Sequence, residues 1–263
     1  MLKKSIFLIS KWALIILVLF ALISALLYVF IQPKQMSNWV PEHSLLPTIV
    51  MDKNKVLVKN IRDFNWKSNN AEQQTKEQHI NMQFELKDIV TLKAVVSHFS
   101  AISEIAHVFI IFGLEDGREI GVSIEARREE GESFSIQGGL LAQFEIIYIL
   151  ATPEDLLGIR KLNKESIHVY PIKATPQKIQ ALFTLIAKQV NELSKSPSMY
   201  HLFFKNCTNQ LVKEVSVLTD EQYPWFFQTL APGKTGEILF DLGLIDLPEK
   251  SFEAIQEKTL LRQ

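Results

Sequence analysis

Cysteine is nearly missing: Cys207 is the only one in 263 residues. No disulfide can form within the chain, so the fold must be stabilised by its core. A lone thiol is either buried as a small hydrophobe or used chemically. An excess charge of one sign is also lacking. Lys and Arg together number 28 and Asp and Glu 29, so no broad positive field would draw in nucleic acid. There is no Gly-rich phosphate loop, no arginine-rich tract and no zinc-finger pattern. No His, Cys, Asp or Glu group has metal-ligand spacing, so neither metal nor cofactor is expected.

What the chain does have is one long hydrophobic run. From Trp12 to Ile31 no charged residue occurs, a length that spans the hydrocarbon core of a bilayer. Lys3, Lys4 and Lys11 precede it and Lys34 follows. That asymmetry places the N-terminus inside and the rest of the chain outside. The exit, Leu26-Leu27-Tyr28-Val29-Phe30-Ile31, is a poor cleavage site, which favours an uncleaved anchor over a signal peptide. The organisation reads as an inner N-terminus (1–11), a transmembrane helix (12–31), a linker (32–48) with Pro33, Pro41 and Pro47, one globular domain (49–248) and a polar tail (249–263).

Within the domain, strand patterns occur at Val56–Ile61, Met82–Leu86 and Val90–Val95. The very polar 65–83 stretch predicts a surface loop. Ala106–Phe112 is apolar except for His107, as in a strand buried on both faces. Glu115-Asp116-Gly117-Arg118 predicts a hairpin turn, with Glu119–Glu125 returning. Phe144–Leu150 and Ile167–Ile172 are further strands. Pro176 opens a helix whose Ile179, Leu182, Phe183, Ile186, Val190 and Leu193 share one face. A second helix starts near Cys207, and 236–247 supplies a last short element. Strands and helices in segregated runs predict an α+β fold with an antiparallel sheet.

Asn206 or Thr208 can cap the second helix, and Cys207, Leu211, Val215 and Leu218 fall on its buried stripe. The helix start favours thiolate, and its free N–H groups could hold an oxyanion. The alternative is a packed, inert cysteine. A nucleophilic thiol needs a base, and His107 is the leading candidate because it is the one polar group in an apolar strand. It could instead be a core histidine satisfied by a carbonyl. His168 and His201 are substitutes, while His43, His79 and His98 lie in less structured surroundings. Glu125 could orient the base. A two-residue turn at Asp116-Gly117, however, sets Ala126 opposite His107 and turns Ser123 and Glu125 to the other face, unless a bulge intervenes. The charge-dense run 125–132 reads either as a solvated loop or as an ion-pair network that could bind anionic headgroups.

At these residues the sequence resembles the N-terminal periplasmic domain of the Lnb-type lipoprotein N-acyltransferases. The matching segments are Asn60-Ile61-Arg62-Asp63-Phe64, Ala106-His107 with Phe112-Gly113 and Asp116-Gly117, and Ser123-Ile124-Glu125-Ala126-Arg127-Arg128-Glu129 with Gly131-Glu132. Asn191, Leu193, Pro197 and Tyr200 follow, then Asn206-Cys207-Thr208 and Leu242-Gly243-Leu244. The family's two hydroxyl residues after the histidine are Val108 and Ile111 here. The resemblance implies a permuted papain-like fold of the NlpC type, in which the histidine strand precedes the cysteine helix. It implies Cys207 as nucleophile and His107 as base, working through an acyl-thioester. Glu125 would be the third group, with Asn206, Thr208, Ser123, Arg127, Arg128, Glu129, Arg62 and Asp63 supporting the site or binding substrate. It also implies a periplasmic domain on the inner membrane, with a membrane lipid or lipoprotein as partner. The competing functions are a cell-wall peptidase or amidase of NlpC type and a non-catalytic envelope interaction module.

Overall fold

The computed structural model describes residues 2–34, 36–66, 74–76, 78–218 and 231–262. Helix α1 runs Leu2–Phe30, and its Lys11–Phe30 part is long and apolar enough to cross a membrane. Most of that part is exposed. Only a stripe towards its C-terminal end, including Ser24 and Tyr28, turns towards the domain.

The stretch expected to be a linker is not one. Pro41–Ser44 forms a short helical turn (α2), and Val40, Glu42 and His43 are buried. Val40 N–H bonds to Arg128 C=O at 3.1 Å, which folds this segment back onto the domain.

The strands are β1 (Thr48–Asp52), β2 (Lys55–Arg62), β3 (Asn65–Trp66), β4 (Gln74–Lys76), β5 (His79–Glu85), β6 (Ile89–His98), β7 (His107–Leu114), β8 (Glu119–Arg127), β9 (Glu145–Ala151), β10 (Ser166–Pro171) and β11 (Ser198–Met199). Among the described residues nine of them make one sheet, ordered β1-β2-β9-β8-β7-β6-β10, with β5 beside β2 and β11 beside β9. The sheet is antiparallel except where β2 meets β9, parallel at Arg62 and Ala151. Part of the predicted 65–83 loop is therefore strand. Residues 67–73 and 77 of that loop lie outside the described residues.

The β7–β8 hairpin decides what faces what. Its loop has three residues, not two: Leu114 N–H bonds to Arg118 C=O at 2.8 Å, and Gly117 N–H to Leu114 C=O at 3.0 Å. Gly117 takes the left-handed conformation, φ +87°, that such a bulged loop requires. Ile110 consequently pairs with Val122, and Phe112 with Ile120. Continuing that register sets His107 opposite Glu125, one place from the two-residue-turn expectation. Ser123, Glu125 and His107 therefore share a face. A Cβ at position 117 would meet no atom within 4 Å. Gly117→Ala is accordingly expected to cost only the backbone strain, about 1–2 kcal/mol, read as a lower urea midpoint with an unchanged slope.

Alternation along β7 builds two cores. Val108, Ile110 and Phe112 join Ile120, Val122 and Ile124 beneath helix α5 (Pro176–Lys195), where Phe183 packs edge-on to Phe84 and Phe112. Phe109 and Ile111 join Ile147, Ile149 and Leu156 beneath helix α4 (Pro153–Leu162). Helix α6 (Cys207–Val215) lies over β7 and β8. A short helix, α3 (Ile136–Leu140), lies between β8 and β9, and two more, α7 (Thr235–Asp241) and α8 (Phe252–Thr259), follow α6. The expected polar tail thus contains a helix. Ser251 caps it, Ile255 is buried, and Leu260 bridges to His168. The architecture is α+β.

Candidate active site

Helix α6 begins where it does because two asparagines close a capping box. The Asn206 side chain accepts from Asn209 N–H at 2.8 Å, and the Asn209 side chain accepts from Asn206 N–H at 2.9 Å. Asn206 is itself fixed by donating from Nδ2 to Leu202 C=O at 2.6 Å. Cys207 is thus the first helical residue, partly buried and packed against the larger core. Its Sγ lies 3.7 Å from Thr208 Oγ1. Burial pushes the thiol up, the Thr208 hydrogen bond partly offsets this, and the Glu125 charge adds to the rise. The helix start does not produce a resting thiolate, because desolvation outweighs the dipole here. Tyr200 is a further neighbour: burial and then the nearby sulfur push its hydroxyl up.

On the α4 face of the sheet, β7 and β8 carry a polar chain. His107 Nε2 lies 2.7 Å from Ser123 Oγ. Ser123 Oγ donates to Glu125 Oε1 at 2.8 Å. A carboxylate only accepts, so the single hydroxyl proton of Ser123 is committed to Glu125. Ser123 must then accept from His107, which puts the ring proton on Nε2 and leaves the lone pair on Nδ1. The tautomer follows from the network.

Glu125 is held from the other side by His43, a residue that sequence reasoning set aside. Arg128 N–H donates to His43 Nδ1 at 3.0 Å, so His43 Nε2–H donates to Glu125 Oε2 at 3.3 Å. Arg160 Nη2 stands 3.6 Å from Glu125 Oε1, and its guanidinium lies over the Phe109 ring at 4.7 Å. Burial alone would raise the Glu125 carboxyl. The His43 hydrogen bond and the charges of Arg62, His107 and Arg160 win, and hold it well below the usual range. His107 is pushed down to about 4, by burial first and Arg160 second, against the pull of Glu125. At neutral pH the imidazole is neutral, with Nδ1 ready to take a proton.

The remaining expected site residues form the surroundings. Arg62 is buried and grips Asp155, with Nε at 2.9 Å from Oδ2 and Nη2 at 2.8 Å from Oδ1. Asp63 accepts from Thr152 Oγ1 at 3.1 Å and from Gln78 Nε2 at 3.2 Å. Arg127 pairs with Glu145 at 3.2 Å and lies 4.0 Å over the Trp39 ring. Arg128 pairs with Glu42 at 2.6 Å, and Glu129 with Lys34. The 125–132 run is therefore an ion-pair network clasping residues 34–43, not a free solvated loop. His168 neighbours His98 and Thr259 on β10, and His201 bonds to Ser24 in α1, so both substitutes are engaged elsewhere. Among the described residues no group is placed to hold a metal ion.

The structure thus unites His107, Ser123 and Glu125, and lays the Cys207 helix over the same two strands. Parity sets His107 with Phe109 and Ile111, while Cys207 packs with the core of Val108 and Ile110. His107 is the first residue of β7 and Cys207 the first of α6.

The buried histidine has a consequence for stability. Its folded pKa of about 4 lies below the ordinary 6.5. Between those values the unfolded chain binds a proton that the folded one refuses, so stability rises with pH through the window. Acidification from 6.5 to 4 is expected to remove about 3 kcal/mol. Glu125, depressed in the folded state, loses its own contribution further down, as pH falls through its folded value. Urea midpoints of the full chain in detergent should fall steeply across this range, and His107→Gln should flatten the upper part. A midpoint unchanged between pH 7 and 4.5 would rule this out.

Compared with known families, residues 75–233 match the Lnb N-terminal periplasmic domain. The chain belongs to this family. The match takes in His107, the Ser123–Glu129 segment and Cys207, and leaves Arg62 and Asp63 outside it. No curated protein and no solved structure matches the chain. As a member of the Lnb family the protein carries a periplasmic domain, behind one N-terminal apolar helix.

Proposed function

We propose that this Lnb-family chain is a membrane-anchored, cysteine-dependent acyltransferase or acyl hydrolase acting on lipid or lipoprotein acyl chains, on a permuted papain-like framework. The observation that carries the reading is the His107–Ser123–Glu125 chain, which leaves His107 Nδ1 unprotonated on the same pair of strands that the helix headed by the only thiol crosses. The reading requires that Nδ1 reach the sulfur round the start of β7.

The chemistry then follows in balanced steps. The Cys207 thiol gives its proton to His107 Nδ1 as sulfur attacks the acyl carbonyl of an ester. The N–H groups at the α6 start stabilise the oxyanion. Collapse forms the thioester, and His107 returns the proton to the departing alcohol. An amine or water, deprotonated by the same nitrogen, next attacks the thioester, and the thiol is regenerated. Glu125, through Ser123, steadies the imidazolium formed in each half. The order of the elements, with the histidine strand before the cysteine helix, supports the permuted framework. The apolar α1, its N-terminus inside and its span in the inner membrane, would keep the site beside its lipid substrate.

An acyl-chain activity probe tests this. Wild-type protein should gain one acyl adduct at Cys207 by intact mass, and Cys207→Ser none of the hydroxylamine-labile kind. Absence of labelling in the wild type counts against the proposal.

A further inference from the structure

We propose that the two segments beside the Cys207 helix, residues 134–141 around the short helix α3 and the 202–204 turn, dip into the lipid leaflet from which α1 emerges, so that the site opens at the level of the acyl–headgroup boundary.

The depth comes from where the anchor touches the domain. Ser24 Oγ donates to Leu140 C=O at 2.5 Å and lies 2.9 Å from His201 Nε2. Tyr28 packs edge-on to His201 with ring centroids 5.1 Å apart, and against Phe204 at 5.6 Å. Ser24 is not beyond the apolar span but inside it. The span ends at Phe30, six residues further on, which is about 9 Å along the helix axis. Any bilayer that covers the span to its end must therefore reach the loops that touch Ser24.

Those loops are made for it. Leu202 N–H bonds to Gly139 C=O at 2.9 Å, so the two form one platform. Their outward residues are Phe134, Ile136, Phe203 and Phe204, all exposed. Apolar side chains clustered on one surface around a membrane helix mark a lipid contact rather than a solvent face. Tyr28, partly exposed, supplies an amphipathic ring of the kind common at the interface. The charges begin where the span ends: Lys34 pairs with Glu129, and Asn38 Nδ2 donates to Glu130 at 2.6 Å. Apolar loops at the depth of residues 24–28, with ion pairs beyond Phe30, reproduce the order of a leaflet. Phe204 precedes Cys207 by three residues, which brings the thiol helix to the depth of a lipid's ester bonds. This last consequence rests on the proposed function; the insertion of the loops does not.

The test uses the full chain reconstituted in phosphatidylcholine–phosphatidylglycerol vesicles. In a Cys207→Ser background, Phe204→Cys, Ile136→Cys and, as control, Asp116→Cys at the far end of β7 each carry an environment-sensitive fluorophore. Lipids with a nitroxide near the top of the acyl chain should quench the labels at 204 and 136 at least threefold more than the label at 116. Quenching at either loop no greater than at 116 overturns the proposal. Shielding from water without lipid quenching, growing with protein density in the vesicles, would assign the patch to a second copy and overturn it equally. No outcome depends on catalysis, so failure here leaves the proposed function standing.

Discussion

Cys207→Ala is expected to lower turnover of a long-chain acyl ester by about 10⁴-fold or more, with folding retained. The thiol is the only one in the chain, and no neighbouring serine takes its place at the head of α6. His107→Ala should cost about 10²–10⁴-fold. The size of that loss depends on the resting protonation states. Burial raises the thiol and lowers the imidazole, so in the proposed mechanism both groups start neutral and proton transfer accompanies attack. Without the base, activity should recover partly as pH approaches the raised thiol value, because the thiolate then forms unaided. Residues acting as one unit are non-additive, so the double variant should be no slower than Cys207→Ala alone. A purely structural cysteine predicts the reverse: both single variants would turn over ester as the wild type does. The measurement is alcohol release in detergent micelles, from pH 6 to 10, for the three variants beside the wild type.

How much of this was legible in the sequence varied with the range of the interaction. The strands β6, β7, β8 and β9 could be read because sheet alternation and unbroken apolar runs are local signals. Cys207 at a helix start was readable from Asn206 and the spacing to Leu211. The face of Glu125 was not. It turned on one extra loop residue at Gly117, and a shift of one place in register moves every side chain to the other face. His43 was passed over because three prolines made its surroundings look like a linker. Only the long-range bonds from Arg128 and to Glu125 show otherwise. Arg160 and Asp155 sit on α4, whose mixed charges hide a buried purpose that has no periodic signature. The C-terminal helix did carry a signal, Ser251 followed by Phe252 and Ile255, that the polar composition of the tail obscured.

The second large effect concerns the ground beneath the site. Asp155 is fully buried, and it accepts from Arg62 Nε and Nη2, from Phe64 N–H at 2.8 Å and from Trp66 Nε1 at 3.2 Å. Asp155→Ala would strand the Arg62 guanidinium without its counter-charge in the interior. The expected destabilisation is about 3–5 kcal/mol, the cost of breaking a buried pair from one side. Replacing both partners by apolar residues, Arg62→Met with Asp155→Leu, should recover most of that loss, since the stranded charge then disappears. The recovered protein should still differ at the site. Arg62 is one of the charges that hold Glu125 ionised, so its removal raises the Glu125 carboxyl. The acid limb of the activity profile should then move to higher pH while stability stays near wild type. Urea unfolding of the three proteins reads the first effect and a pH–rate profile the second. An Asp155→Ala midpoint within 1 kcal/mol of wild type would mean that water or a shifted Arg62 relieves the charge, and that β2 and α4 do not brace the Glu125 side of the site.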